Sequence, residues 1–283
     1  YARVDPQAAY AVFAKATQQE CTYMQRVVPD CGALFAPLET ALREQLIPAL
    51  FGWPEGRGHG PNGTPLTPQH SQLWRDLFAL PVRHGGLGIY DPTTTTESSY
   101  EASSAGVKVL VEALKRGDGL LDQEAHRECV TGATHHARTL RREQAVREHS
   151  RIREELLKSD EGAVRAIDRA VDNGLSKVLM TPPCAHKRFV LNANEMHDHL
   201  AQRYNMEGAE LAAYCPCGKP ISIPHAQCWK RGGLVTLRHD IFQDELGDMM
   251  VETGTKQVHR HPLIRTPAEA QQPPPGLARG GWE

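Results

Sequence analysis

Cys215, Cys217, His225 and Cys228 fall within fourteen positions, spaced Cys-x-Cys-x7-His-x2-Cys. Thiolate sulfur and imidazole nitrogen are the ligands zinc favours, and four of them converging on one point make a tetrahedral site. Gly218, Pro220 and Pro224 favour a tight excursion that brings the chain back to the metal. Four protein ligands leave no position for water, so the predicted zinc is structural rather than a Lewis acid. The other reading is four unconnected loop residues, and His239 stands by as a substitute ligand. Lys219, Lys230, Arg231 and Arg238 flank the cluster as candidate phosphate contacts. Trp229 is placed either to stack on an unpaired base or to pack against the metal loop. His197 and His199 form no such site: two residues apart on a helix they point in different directions, so they are expected on the surface.

A second stretch with chemical potential is the run from Arg138 to Lys158. Its seven cations (Arg138, Arg141, Arg142, Arg147, Arg151, Arg153, Lys158) face four glutamates (Glu143, Glu148, Glu154, Glu155). Arg138 and Arg142 share one helix face at i, i+4. Two readings stand open: a solvated helix laced with ion pairs, or a basic rail along a nucleic-acid backbone. A third stretch, Leu80-Pro-Val-Arg83-His84-Gly85-Gly86-Leu87-Gly88-Ile89, carries a Gly-Gly-x-Gly turn. It lacks the lysine and hydroxyl residue of a phosphate-binding P-loop, so a tight turn with Leu87 and Ile89 packed inward is expected.

The elements that must position these residues read as helices. Asp5-Pro6 is a cap followed by proline at the first helical position. Ala9, Val12, Phe13 and Ala16 then suggest an apolar side that Met24 and Val27 extend, before Pro29-Asp30 stops the helix. Leu34, Leu38, Leu42, Leu46 and Leu50 form a stripe at intervals of four; that helix should begin near Ala36 and kink or end at Pro48. Gly52 to Pro65 reads as a loop, and Thr67-Pro68 opens a helix carrying Leu73, Trp74, Leu77 and Phe78. Thr93 to Ser99 is a polar link into another helix, closed by Gly117-Asp-Gly119. Leu120 to Lys158 is almost continuously helix-compatible, and Ala163, Val164, Ile167, Val171 and Leu175 mark a further amphipathic helix. Phe189 to Leu191 is short, apolar and expected to be extended. Asn192 with Glu195 forms a capping box, and Ile241 to Met250 supplies the last apolar helix.

At 283 residues the chain has room for one large or two ordinary domains. The net charge of -2 means that any basic surface is local, and no apolar run approaches the ~20 residues of a membrane span. Seven cysteines without a signal-peptide pattern suggest a reducing compartment, nucleus or cytoplasm, with thiols free for metal. No Gly-x-Ser-x-Gly or other nucleophile motif is present. The Gln/Pro/Gly-rich end is expected to be disordered.

Taken together, these motifs resemble one family. Leu80-Pro-Val-Arg-His-Gly-Gly-Leu-Gly-Ile89 with Asp91-Pro92 is similar to the signature just after the polymerase core of non-LTR (LINE-type) retrotransposon reverse transcriptases. Residues from Ala9 to Leu50 resemble the thumb-side helices before that signature. Cys215 to Cys228, followed by Lys230-Arg-Gly-Gly-Leu234 and Arg238-His239-Asp240, resemble the family's zinc knuckle, with at least one fewer residue between the histidine and the last cysteine. The resemblance implies binding to the RNA and/or DNA of the element and its target, within a parent polyprotein that is an RNA-directed DNA polymerase. Neither catalytic centre is carried over. No Asp-Asp pair occurs anywhere, and the segment after Met250 has no Pro-Asp followed by the Asp/Glu-x-Lys pattern of a restriction-like endonuclease.

The expected architecture is therefore mostly α: a multi-helix thumb/linker-like array, a small zinc-knuckle module and a disordered C-terminal tail. The divisions are 1-92, ending in the Gly-Gly-x-Gly motif; 93-204, containing the Arg-rich helix; 205-250, the knuckle; and 251-283, the tail. The expected function is nucleic-acid binding without catalysis, through Arg138, Arg142, Lys219, Trp229, Lys230, Arg231 and Arg238. The alternatives are a zinc-stapled helical scaffold and a retroelement relic without function.

Overall fold

The computed structural model describes residues 1–53, 68–117, 119–171, 179, 181–184, 189–206, 214–215, 217–220, 225 and 234–254; at 68–70 and 234–238 it describes the backbone only. The chain is mostly helical and divides into two compact units, Tyr1–Ile223 and Pro224–Glu283. The expected loop at 52–65 and tail at 251–283 lie largely outside the described residues.

In the first unit, α1 (Pro6–Val12) starts where the Asp5 carboxylate accepts the Ala8 N–H, as the cap-proline pair predicts. A wide π-type turn, Phe13–Thr17, joins it to α2 (Gln18–Val27). Positions seven apart share a helix face, whereas Tyr10 and Gln18 are eight apart and would diverge by about 80° on a regular helix. The wide turn absorbs the extra residue and puts Gln7, Tyr10, Gln18 and Gln25 on one buried face. The expected apolar side is thereby corrected: Val12, Met24 and Val27 are exposed, Met24 at 50%.

The same device recurs in the next segment. α3 (Ala36–Ala41) begins at the expected residue, and a second wide turn, Leu42–Leu46, leads into α4 (Ile47–Leu50). Leu42 and Leu50, again eight apart, are both buried, while Leu34 at the head of the stripe is 77% exposed. Pro48 follows the wide turn, where the helical ladder is already interrupted, so the helix continues to Leu50.

α5 (Pro68–Ala79) supplies Trp74, Leu77 and Phe78 to the core. After the tight turn Val82–His84 come α6 (Thr96–Arg116), α7 (Gln123–Leu157) and α8 (Glu161–Val171). α6 begins inside the stretch expected as a polar link and ends at Gly117, whose φ of 70° suits a glycine C-cap. α7 is 35 residues long, about 52 Å. It packs along α6, and its last turns reach α5 and α8, where Ala145, Ile152 and Leu156 are buried. α9 (Ala193–Arg203) opens with the predicted capping box, Asn192 and Glu195 satisfying each other's backbone N–H. Phe189 bridges antiparallel to Cys184, the extended stretch expected there.

One core draws on both sides of position 92. Phe51, Trp74, Phe78 and Tyr204 pack ring against ring, with centroids 5.1 to 6.0 Å apart, and Tyr10, Leu50, Ile152, Ile167, Met196 and Leu200 close around them. Burying each such side chain contributes roughly 1.5–3 kcal/mol. In the second unit, α10 (Leu234–Glu252) runs two residues past the expected limit at 250. Among the described residues no helix is long and apolar enough to cross a membrane.

Candidate functional site

The cysteine loop is shaped by backbone bonds. Cys215 N–H donates to the Lys219 carbonyl at 2.9 Å, Gly218 N–H donates to the Cys215 carbonyl at 2.8 Å, and Tyr214 bridges Pro220. Gly218 takes φ 82°, a conformation that side chains disfavour, which accounts for glycine directly after Cys217. Within this turn the Lys219 backbone amide, and then the Cys215 side chain, hold the Cys217 thiol below its ordinary value, toward the thiolate that metals bind.

The sulfurs of Cys215 and Cys217 and a ring nitrogen of His225 all lie within 4.8 Å of one another, so these three residues could hold a metal ion. With metal–ligand bonds of about 2.0–2.3 Å, ligand atoms in a tetrahedral site stand roughly 3.5–3.8 Å apart, so binding needs a contraction of at most about 1 Å. Cys228, Trp229, Lys230 and Arg231 lie outside the described residues, as does the side chain of Arg238 on α10. His239 is not among the converging ligands; its Nδ1 faces Asp240 at 3.5 Å. Lys219 is exposed beside the loop.

The Arg-rich helix divides into two parts. Its C-terminal turns are ion-paired: Arg151 with Asp76 and Glu148, Arg153 with both oxygens of Asp168, Lys158 with Glu155, and Arg147 with Glu143 at 3.8 Å. Arg138 and Arg142 are exposed, and among the described residues no carboxylate lies within ion-pair distance of either. They continue the stripe of Ala145, His149, Ile152 and Leu156, so this face of α7 is core-packed at one end and basic at the other.

The turn from Leu80 to Pro92 is no open phosphate cradle. The N–H groups of Leu87 and Ile89 both donate to the Phe78 carbonyl, and that of Gly88 donates to Leu80. Leu87 and Ile89 are fully buried, as expected. The carbonyls are held in turn: Leu87 by the Tyr10 hydroxyl, Gly88 by Gln18, Ile89 and Tyr90 by Arg75, and Pro92 by Gln25. Arg83 is exposed and donates to the His84 ring, and Arg83 and Arg142 on α7 both bear on His84. Sequence spacing gave no sign of this juxtaposition, because turn and helix meet only through the fold.

His197 and His199 correct the expectation of surface histidines: both are half-buried, His197 against Gly52 and the Ala49 carbonyl. Burial comes first in holding both rings below their ordinary values. No protein-family model, curated protein or solved structure matches the chain.

Proposed function

We propose that this chain is the nucleic-acid-binding, non-catalytic C-terminal part of a retrotransposon-derived reverse transcriptase, carrying a structural zinc knuckle. The observation that carries the reading is the acid-free row Arg138–Arg142 on α7, with exposed Arg83 on a turn that packs against the same helix. Unpaired surface arginines on one face supply the sequence-independent attraction of a phosphate backbone. The motif resemblance at Leu80 to Ile89 and at Cys215 to Cys228 supports the same origin. In the knuckle, Cys215, Cys217, His225 and Cys228 would hold zinc, and Lys219, Lys230, Arg231 and Arg238 would add phosphate contacts with Trp229 on a base. The parent element and its target would supply the RNA and DNA.

The test is binding of a single-stranded RNA across a salt series. The expected result is a linear fall of log K with log salt, and a loss of roughly tenfold or more in the Arg138→Glu/Arg142→Glu double variant. Absence of salt-dependent binding at about 50 mM salt sinks the reading. Converging Cys215, Cys217 and His225 also favour a second reading, a zinc-stapled helical scaffold. That reading expects zinc uptake and zinc-dependent stability with no RNA affinity.

A further inference from the structure

We propose that Arg83, His84 and Arg142 form a phosphate-binding site at the junction of the Val82–His84 turn with α7. That a nucleic-acid phosphodiester fills it rests on the function proposed above; the phosphate chemistry itself does not.

The turn is held rigidly. His84 N–H donates to the Pro81 carbonyl and Gly85 N–H to Val82, at 2.8 and 3.1 Å. Arg203 donates to the carbonyls of Val82 and Gly86. Gly85, at φ 86°, is pressed so close to α8 that a Cβ there would lie 2.8 Å from the Ile167 side chain. Arg83 and His84 thus project from a fixed base, and a preorganised donor loses little freedom when an anion arrives.

The donors are aimed and uncompensated. Arg83 Nε–H donates to His84 Nε2 at 3.2 Å, which fixes both side chains. No partner for the terminal nitrogens of Arg83, and no carboxylate paired with Arg142, is found among the described residues. The groups facing His84 are Arg83 on its own turn and Arg142 and His149 on α7, the His149 ring centroid at 6.1 Å. The nearby acid of α8, Asp168, acts on His149, and both its oxygens are occupied by Arg153 at 2.9 and 2.8 Å. Arg142 lies on the same face of α7 as His149, two turns toward the helix start, so two guanidinium groups bear on one imidazole and no carboxylate among the described residues pairs with either. A tetrahedral anion with several oxygens suits such splayed donors better than a planar carboxylate does.

The test follows the imidazole NMR signals of His84 and His149 in the full chain during titration with inorganic phosphate, and separately with a single-stranded oligonucleotide, against chloride of equal ionic strength. The variants are Arg83→Gln and Arg142→Gln, with Arg147→Gln as control. The expected result is saturable shifts with phosphate, and about five- to tenfold weaker binding of both ligands in the first two variants only. The oligonucleotide salt slope should fall by about one. Phosphate binding without oligonucleotide binding upholds the site and sinks the nucleic-acid function. Oligonucleotide binding indifferent to Arg83 and Arg142 overturns the site and leaves nucleic-acid binding to other cations, Arg138 and Lys219 among them. Shifts no larger than those with chloride also overturn it.

Discussion

Arg75 closes a two-pronged salt bridge on Glu39, Nε to Oε1 at 2.8 Å and Nη2 to Oε2 at 2.7 Å, and donates with the same guanidinium to the carbonyls of Ile89 and Tyr90. Both residues are buried, and Arg43 on the outer side adds a second cation to Glu39 at 2.6 Å. Arg75→Met should therefore cost about 3–5 kcal/mol, since it leaves a buried carboxylate with only its outer cation, Arg43, and orphans two carbonyls. Arg43→Met, removing a pair one-third exposed on the arginine side, should cost no more than about 1 kcal/mol. Urea midpoints of the two variants test the order; equal losses would mean that Arg75 is not the central strut.

Three buried glutamines each bond an extended segment from both ends of the amide. Gln7 donates to Phe189 and accepts from Leu191, Gln18 donates to Gly88 and accepts from Tyr90, and Gln25 donates to Pro92 and accepts from the Thr95 hydroxyl. Gln25→Leu keeps the volume but leaves the Thr95 hydroxyl without the amide and Pro92 with only the Thr96 hydroxyl. Gln18→Leu orphans a backbone carbonyl and a backbone N–H together. Thermal unfolding should show Gln18→Leu as the more costly, by roughly 2–3 kcal/mol against wild type.

Gly86 and Gly88 are two residues apart and should respond very differently to alanine. A Cβ at Gly86 would lie 2.0 Å from the Leu80 carbonyl oxygen, whereas at Gly88 the nearest atom is 3.8 Å away and only the φ of 67° opposes a side chain. Gly86→Ala should abolish cooperative folding, and Gly88→Ala should cost roughly 1–2 kcal/mol. Circular-dichroism melts of the two variants decide it.

Stability should fall on acidification below about pH 6.5. His84, His149, His197 and His199 are all held below their ordinary values, in each case first by burial. The unfolded chain, with histidines near 6.5, therefore takes up protons before the folded chain does. The stabilisation is fully present above about pH 6.5 and is lost as pH drops through the folded values. Asp168, pulled below the usual carboxylate range by Arg153, loses its contribution only at lower pH. Urea midpoints at pH 7.5 and 5.5 should differ by less in His199→Gln than in wild type; an equal difference removes His199 from the account.

Much of this was legible before any fold was known. Caps and stops are local chemistry, so Asp5-Pro6, Ala36, Gly117 and the Asn192–Glu195 box sit where their residue types indicate. The two wide turns were not legible, since nothing local in Phe13–Thr17 or Leu42–Leu46 announces an extra residue, and a constant helical period rotates everything downstream onto the wrong side. That is why Met24 and Val27 face solvent while Gln18 and Gln25 face the core. Spacing pointed to Cys215, Cys217 and His225 as a group that could hold a metal ion because they lie within eleven positions of one another. The meeting of the Arg83–His84 turn with α7 depends on the packing of a whole helix and has no counterpart in any window of sequence.

Besides its buried Leu87 and Ile89, the segment from Leu87 to Pro92 is gripped through its peptide groups, by the side chains of Tyr10, Gln18, Gln25 and Arg75. A backbone offers the same carbonyls whatever residues it carries, so substitutions inside the segment are cheap wherever the side chain is exposed, as at Tyr90. The four holders have no such freedom. Descendants of this architecture should therefore be traceable by a tyrosine, a glutamine eight positions later, a second glutamine seven beyond that and a distant arginine, even where the exposed positions of the segment have drifted.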